Sequence, residues 1–168
     1  NERFGIAGHL RFAAGPGGLT VAELGNDAGT ARVALHGAHV LEFQPRGARP
    51  VLWLSGKSWF CDGKPIRGGI PVCWPWFGAH PTDPSLPSHG FARLWDWQVL
   101  GTQAVSPTQT CLRLGLRDSE ASRRLWPHAF EAELTVTVGS ELQVSLTMRN
   151  PRSEEHTSEL QSRTVISY

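Results

Sequence analysis

Cysteine is scarce and unpaired. Cys61, Cys73 and Cys111 make an odd number with no CxxC spacing, which excludes a disulfide framework, argues against a zinc site and fits a reducing compartment. An excess of either charge is also lacking: 16 basic against 15 acidic residues leave a net charge of +1, so the balance implies neither a nucleic-acid nor a membrane partner. No run approaches the roughly 18 apolar residues that cross a bilayer, and the first residues contain no apolar segment of signal-peptide type. A cytoplasmic protein is therefore expected. Long amphipathic helices are absent before Asn150, which removes helical bundles and alternating α/β folds from consideration.

What is present is a globular composition, 40% hydrophobic over 168 residues, enough for one domain with a core. Short β-type runs separated by turn residues cover the N-terminal third: LTVAEL (19–24), TARVALHG (30–37), AHVLEFQP (38–45) and PVLWLS (50–55). Ala31, Val33 and Leu35 alternate as a half-buried strand does. WDWQVL (95–100) and QTCLRLGLR (109–117) repeat the pattern, and DSEASRRLWPHAF (118–130) reads as a turn with a short helical piece ending before Pro127. EAELTVTV (131–138) and ELQVSLTMR (141–149) form a predicted hairpin through a two-residue Gly139-Ser140 turn, with Leu134, Val136, Val144 and Leu146 facing inward. These signals predict an all-β fold, an antiparallel sandwich or open barrel.

Between the two groups of strands lies IRGGIPVCWPWFGAHPTDPSLPSHGFARLWDW (66–97), which holds five prolines and six of the chain's large aromatic side chains. Proline fixes φ and removes a donor, so the segment is a long loop. Disordered loops are poor in aromatics, and this one is rich in them. A stiff aromatic loop presenting Arg67, His89 and Arg93 reads as the floor of a binding site. His36 and His39 read as strand-end histidines, and His80 and Asp83 as turn-forming residues.

RGGIPVCWPWFG followed by PSHGFAR resembles the signature of the hexose-6-phosphate mutarotases (glucose-6-phosphate 1-epimerases) of the aldose 1-epimerase group. GAHVLEF (37–43), VLWLS (51–55), LWPHAF (125–130) and a strand ending in MRN (148–150) agree in order. The resemblance implies a β-sandwich of galactose-mutarotase-like type and a small-molecule hexose phosphate as substrate, with no metal or organic cofactor. By the same resemblance Arg67, Ser88, His89 and Arg93 match positions that grip the substrate. Gly68-Gly69 would let backbone approach the ligand, and Trp74 or Trp76 could stack on a sugar face.

At Pro151 the character changes. RSEEHTSELQSRTVISY (152–168) does not continue the strand pattern and is similar to the translation of a sequencing-library adapter. The expectation is that residues 1–151 are the N-terminal part of an incomplete mutarotase-like sandwich and that 152–168 are a non-native, disordered tail. Mutarotases of this group use a general-acid histidine and a general-base glutamate, and neither is matched here: His156 lies too close to Asn150 with no aromatic after Thr157, and Glu159 is no better as the base. The competing expectation is a non-catalytic carbohydrate-binding or sugar-phosphate-binding sandwich module.

Overall fold

The computed structural model describes residues 2–151 and, for the backbone, 159–166. Strands β1 (Leu10–Ala14), β2 (Thr20–Gly25), β3 (Gly29–Ala34) and β4 (His39–Pro45) form one antiparallel sheet in that order. Strands β5 (Gln98–Ser106), β6 (Gln109–Arg117), β7 (Glu131–Val138), β8 (Leu142–Arg149) and β9 (Glu159–Ile166) form the second. One short helix, α1 (Glu120–Leu125), sits between β6 and β7. Its N-cap Ser119 accepts from the Ser122 N–H while the Ser122 hydroxyl accepts from the Ser119 N–H, a reciprocal capping box.

The two sheets share one core. Ala22, Leu24, Ala31, Val33, Val40 and Phe43 from the first meet Leu112, Leu114, Leu134, Val136, Val138 and Leu142 from the second, all buried. This is the face-to-face packing of a β-sandwich, with β7 alternating residue by residue between the core and the opposite face. Truncating such a side chain, Leu114→Ala for instance, costs about 2–5 kcal/mol. Outside the first sheet, Arg32 bridges Glu23 and Glu42 at 3.8 and 3.0 Å, a charge ladder on the wet face. A smaller cluster of Val21, Ala34, Leu41 and Ile66 covers the rest of that face.

Four details depart from the sequence reading. Leu10–Ala14 forms an edge strand that its weak alternation did not signal. PVLWLS is not a strand: it makes only an isolated bridge, Leu54 to Gly68, because the chain leaves β4 to clamp the loop. The hairpin closes over three residues, Gly139 to Glu141, since Val138 pairs Leu142 and Val136 pairs Val144. A two-residue turn would set Val138 against Glu141 and turn β8's apolar face to water. Finally, the strand pattern does not stop at Asn150: Glu159–Ile166 runs antiparallel to β8, pairing Leu142 with Ile166 and Met148 with Leu160, so the open edge of β8 is occupied. The rest of the expected tail, 152–158 and 167–168, lies outside the described residues.

Candidate functional site

The segment between β4 and β5 links the two sheets and is irregular except for a single 3-10 turn, Ala92–Leu94. Its order comes from aromatic packing. The Trp74 ring meets Phe91, Trp126 and Phe130 at 5.8, 4.9 and 4.4 Å, fixing the loop to the approach to β7. Phe91 and Trp95 stack at 4.6 Å, and Trp97 is buried with its indole N–H donating to the Ala92 carbonyl. Trp76 donates its indole N–H to the Pro87 carbonyl at 2.9 Å, closing the neck of the loop tip. Trp74 is thereby a packing residue, and the idea of it as a sugar platform is set aside.

Within the closed tip, His80 Nδ1 accepts the Asp83 N–H, and Asp83 accepts from the Ser85 N–H and hydroxyl. The Ser85 hydrogen bonds hold the Asp83 carboxyl below its ordinary value. Both residues shape the turn.

His89 is locked in two ways. Its backbone N–H donates to the Gly78 carbonyl at 2.6 Å, and its ring Nδ1 accepts the Gly78 N–H at 3.1 Å. A neutral ring that accepts at Nδ1 holds its proton on Nε2, which makes Nε2–H the ring's remaining donor. The residue also sits at φ +62°, the left-handed region that side chains avoid. A non-glycine residue is retained there against a backbone cost of roughly 1–2 kcal/mol, the kind of strain that gathers at functional positions.

Arg93 follows in the 3-10 turn. Its Nη2 donates to the Ser88 carbonyl at 2.6 Å, while Nε is a buried donor without a partner. The guanidinium charge is felt by two neighbours, half-buried Cys73 and buried His39. It opposes the upward push that burial gives the Cys73 thiol. It also adds to the burial that lowers His39 to about 4. Ser88, His89 and Arg93 thus form one unit, with the Ser88 side chain exposed.

Arg67 stands on a separate support. Its backbone N–H donates to the Ser58 hydroxyl and its carbonyl accepts from the Ser55 N–H, leaving an exposed guanidinium with no hydrogen-bond or ion-pair partner among the described residues. No direct contact joins it to Arg93. The connection runs through Gly68, whose carbonyl accepts from His39 Nε2–H at 2.7 Å. Gly68 and Gly69, at φ +90° and +59°, serve this packing: a Cβ on Gly68 would lie 2.5 Å from the Trp53 carbonyl oxygen, and one on Gly69 2.2 Å from that of Val40. Both glycines are thus required for close approach to protein backbone.

His36 and His39 are both buried, each about 1% exposed, more deeply than strand-end positions suggest. His36 Nε2–H donates to the Lys64 carbonyl, and its Nδ1 lies 3.4 Å from Asp96. Between them, Gly37 donates to the Trp95 carbonyl and lies so close under Arg93 that a Cβ would be 2.7 Å from its carbonyl oxygen. The turn after β3 is therefore the seat of Arg93, a relationship no sequence pattern announced. Among the described residues no three His, Cys, Asp or Glu side chains converge as a metal ion requires.

The sequence profile described as aldose 1-epimerase matches residues 20–158. The chain belongs to the aldose 1-epimerase family. Among curated members, a protein of Salmonella typhimurium provisionally named glucose-6-phosphate 1-epimerase is 42% identical over 116 residues, 69% of this chain and 39% of its own length. The crystal structure of a Salmonella typhimurium protein provisionally described as a mutarotase, YeaD, superposes with a TM-score of 0.81 at 34% identity, over 86% of this chain and 48% of that one. A galactose mutarotase related enzyme of Lactobacillus acidophilus shares the fold alone, with a TM-score of 0.60 at 20% identity, over 77% of this chain and 43% of its own. This aldose 1-epimerase family chain spans about two fifths of the length of the curated relatives it matches.

Proposed function

We propose that the chain is part of an enzyme that interconverts the α and β anomers of a hexose 6-phosphate, and that Arg67, Ser88, His89 and Arg93 grip the substrate. The observation that supports this is the Ser88-His89-Arg93 unit: an arginine braced on the carbonyl beside a histidine whose ring is fixed with Nε2–H left as its donor. A phosphate dianion suits a braced guanidinium, whose planar fork of donors matches its oxygens. The exposed guanidinium of Arg67 supplies a second cation. His89 Nε2–H suits a sugar hydroxyl or the ring oxygen.

Anomer exchange needs one group to take the proton from the C1 hydroxyl while another protonates the ring oxygen. The C1–O5 bond then breaks to the open-chain aldehyde, rotation about C1–C2 exposes the other carbonyl face, and the proton transfers reverse on closure. Groups with pKa values near neutrality serve both directions. We assign neither transfer to a residue within 1–151. The residues named here bind and orient.

Exchange spectroscopy on glucose 6-phosphate tests the reading. Exchange between anomers faster than the spontaneous rate is expected with the whole enzyme. Binding with exchange at the spontaneous rate would instead establish a sugar-phosphate binder. Arg93→Ala should weaken glucose 6-phosphate tenfold or more and free glucose little; an equal effect on both would remove the phosphate role.

A further inference from the structure

Five large apolar side chains are exposed among the described residues: Trp53, Trp59, Phe77, Leu100 and Val105. Phe77 is the most exposed, at 80%. It alone of the five touches a candidate substrate-binding side chain, its ring lying 4.6 Å from that of His89 at an interplanar angle of 78°. Trp59, by contrast, is engaged by the Lys64 ammonium at 5.9 Å. Exposure of a phenyl ring stabilises nothing by itself, since burying one is favourable by about 1.5–3 kcal/mol.

The ring is nevertheless held in a defined place. Gly78, the next residue, is bonded to His89 through both its N–H and its carbonyl, so the backbone that orients Phe77 is tied to the backbone that orients the imidazole. One edge-to-face contact uses one side of the pair, and the rest of the phenyl surface faces water. Against it stands the His89 ring, and the carbonyl of the preceding residue, Ser88, braces the Arg93 guanidinium. A hexopyranose has the matching faces: hydroxyls around its rim, an anionic group when phosphorylated, and a patch of ring C–H bonds that aromatic surfaces cover.

We infer that Phe77 is a specificity-determining residue that packs against the C–H face of the hexose ring, while His89 and Arg93 take the polar groups. The inference rests on the hexose-phosphate reading and deepens it. Phe77 selects a phosphorylated ring over a phosphorylated chain of the same charge. It takes no part in proton transfer, so its loss acts on affinity and leaves turnover of bound sugar unchanged.

The test is titration of the full-length wild type, Phe77→Ala and Phe77→Tyr with glucose 6-phosphate and with glycerol 3-phosphate, alongside KM and kcat for anomer exchange. Phe77→Ala should weaken glucose 6-phosphate about tenfold and glycerol 3-phosphate less than twofold, raise KM and leave kcat unchanged, and Phe77→Tyr should restore affinity. If the wild type binds glucose 6-phosphate and Phe77→Ala binds it equally well, this assignment alone falls. An equal loss for both ligands would also overturn it, because the ring would then be acting through the placement of His89 and Arg93. If the wild type binds neither ligand, the hexose-phosphate reading falls and takes this one with it. Since Phe77 is exposed, its replacement leaves the core intact, and coincident unfolding curves confirm that the variants are comparable.

Discussion

Gly78 and His89 bind each other twice in opposite directions: the His89 N–H donates to the Gly78 carbonyl, and the Gly78 N–H donates to the His89 ring. The pair therefore fixes the backbone of the loop tip and the tautomer of the imidazole with the same two residues.

Replacing His89 separates these roles. At φ +62° glycine is relaxed and alanine is strained, by roughly 1 kcal/mol or more. His89→Gly should keep stability within about 1 kcal/mol of the wild type, relief of strain offsetting one lost hydrogen bond. His89→Ala should be less stable than His89→Gly, and both should lose sugar-phosphate binding. Urea unfolding of the two variants measures the gap; equal stabilities would mean that the backbone is unstrained.

Gly37 tests the seat of Arg93. Gly37→Ala places a Cβ 2.7 Å from the Arg93 carbonyl oxygen at φ +71°, whereas Gly8→Ala, at φ +76°, meets nothing within 4 Å. Gly8→Ala should show only the strain of the left-handed region, about 1 kcal/mol. Gly37→Ala should be destabilised by 1–3 kcal/mol beyond that and should bind glucose 6-phosphate more weakly. Matching losses in the two variants would deny Gly37 its part in placing Arg93.

Acid should weaken the fold through His39. Burial, aided by His36 and Arg93 and opposed by the Gly68 hydrogen bond, lowers this histidine from 6.5 to about 4. Because the folded value lies below the unfolded one, its contribution is complete above pH 6.5. It is lost as pH falls toward 4, where the unfolded chain takes up a proton that the folded chain refuses. The loss approaches about 3 kcal/mol at the lower limit. Thermal melts of the wild type and His39→Gln between pH 4 and 7 should converge in acid, with the wild type showing the steeper fall. Parallel curves would assign the acid sensitivity to other groups.

The three-residue loop of the last predicted hairpin gives a sharper test of register. Deleting Ser140 forces a two-residue turn and sets Leu142 and Val144 on the solvent side, so cooperative unfolding should disappear. Ser140→Ala keeps the loop length and should fall within about 0.5 kcal/mol of the wild type. A cooperative transition in the deletion variant would show that the strands can slip without penalty.

Strands were legible where alternation was clean. β6, β7 and β8 follow their apolar period almost residue for residue, and the helical piece ends before Pro127 as the proline requires. Leu10–Ala14 carried no such period, because an edge strand buries little, and its burial is confined chiefly to Leu10. PVLWLS misled for the opposite reason: its apolar residues pack without forming a ladder, Val51 and Leu52 against the main core and Leu54 against the outer cluster. The prolines announced the loop, and Arg67, His89 and Arg93 stood out in it by residue type, but Ser88 was singled out only by resemblance to a family, since an arginine pattern does not reveal which carbonyl braces it. Long-range seating, such as Gly37 beneath Arg93 or Gly69 against Val40, leaves no local trace at all.

The loop that holds His89 and Arg93 is also the only passage among the described residues from one sheet to the other, leaving Pro45 and re-entering at Gln98. Each sheet is a run of consecutive hairpins, so its pairing closes short stretches of chain, while the passage between them closes a long one at greater entropic expense. The expected order of assembly is that the meanders register first, and His89 and Arg93 reach their places when the two halves meet. A newly made molecule is thus expected to acquire its scaffold before its candidate site, and a ligand of that site present during refolding would act on the closing event.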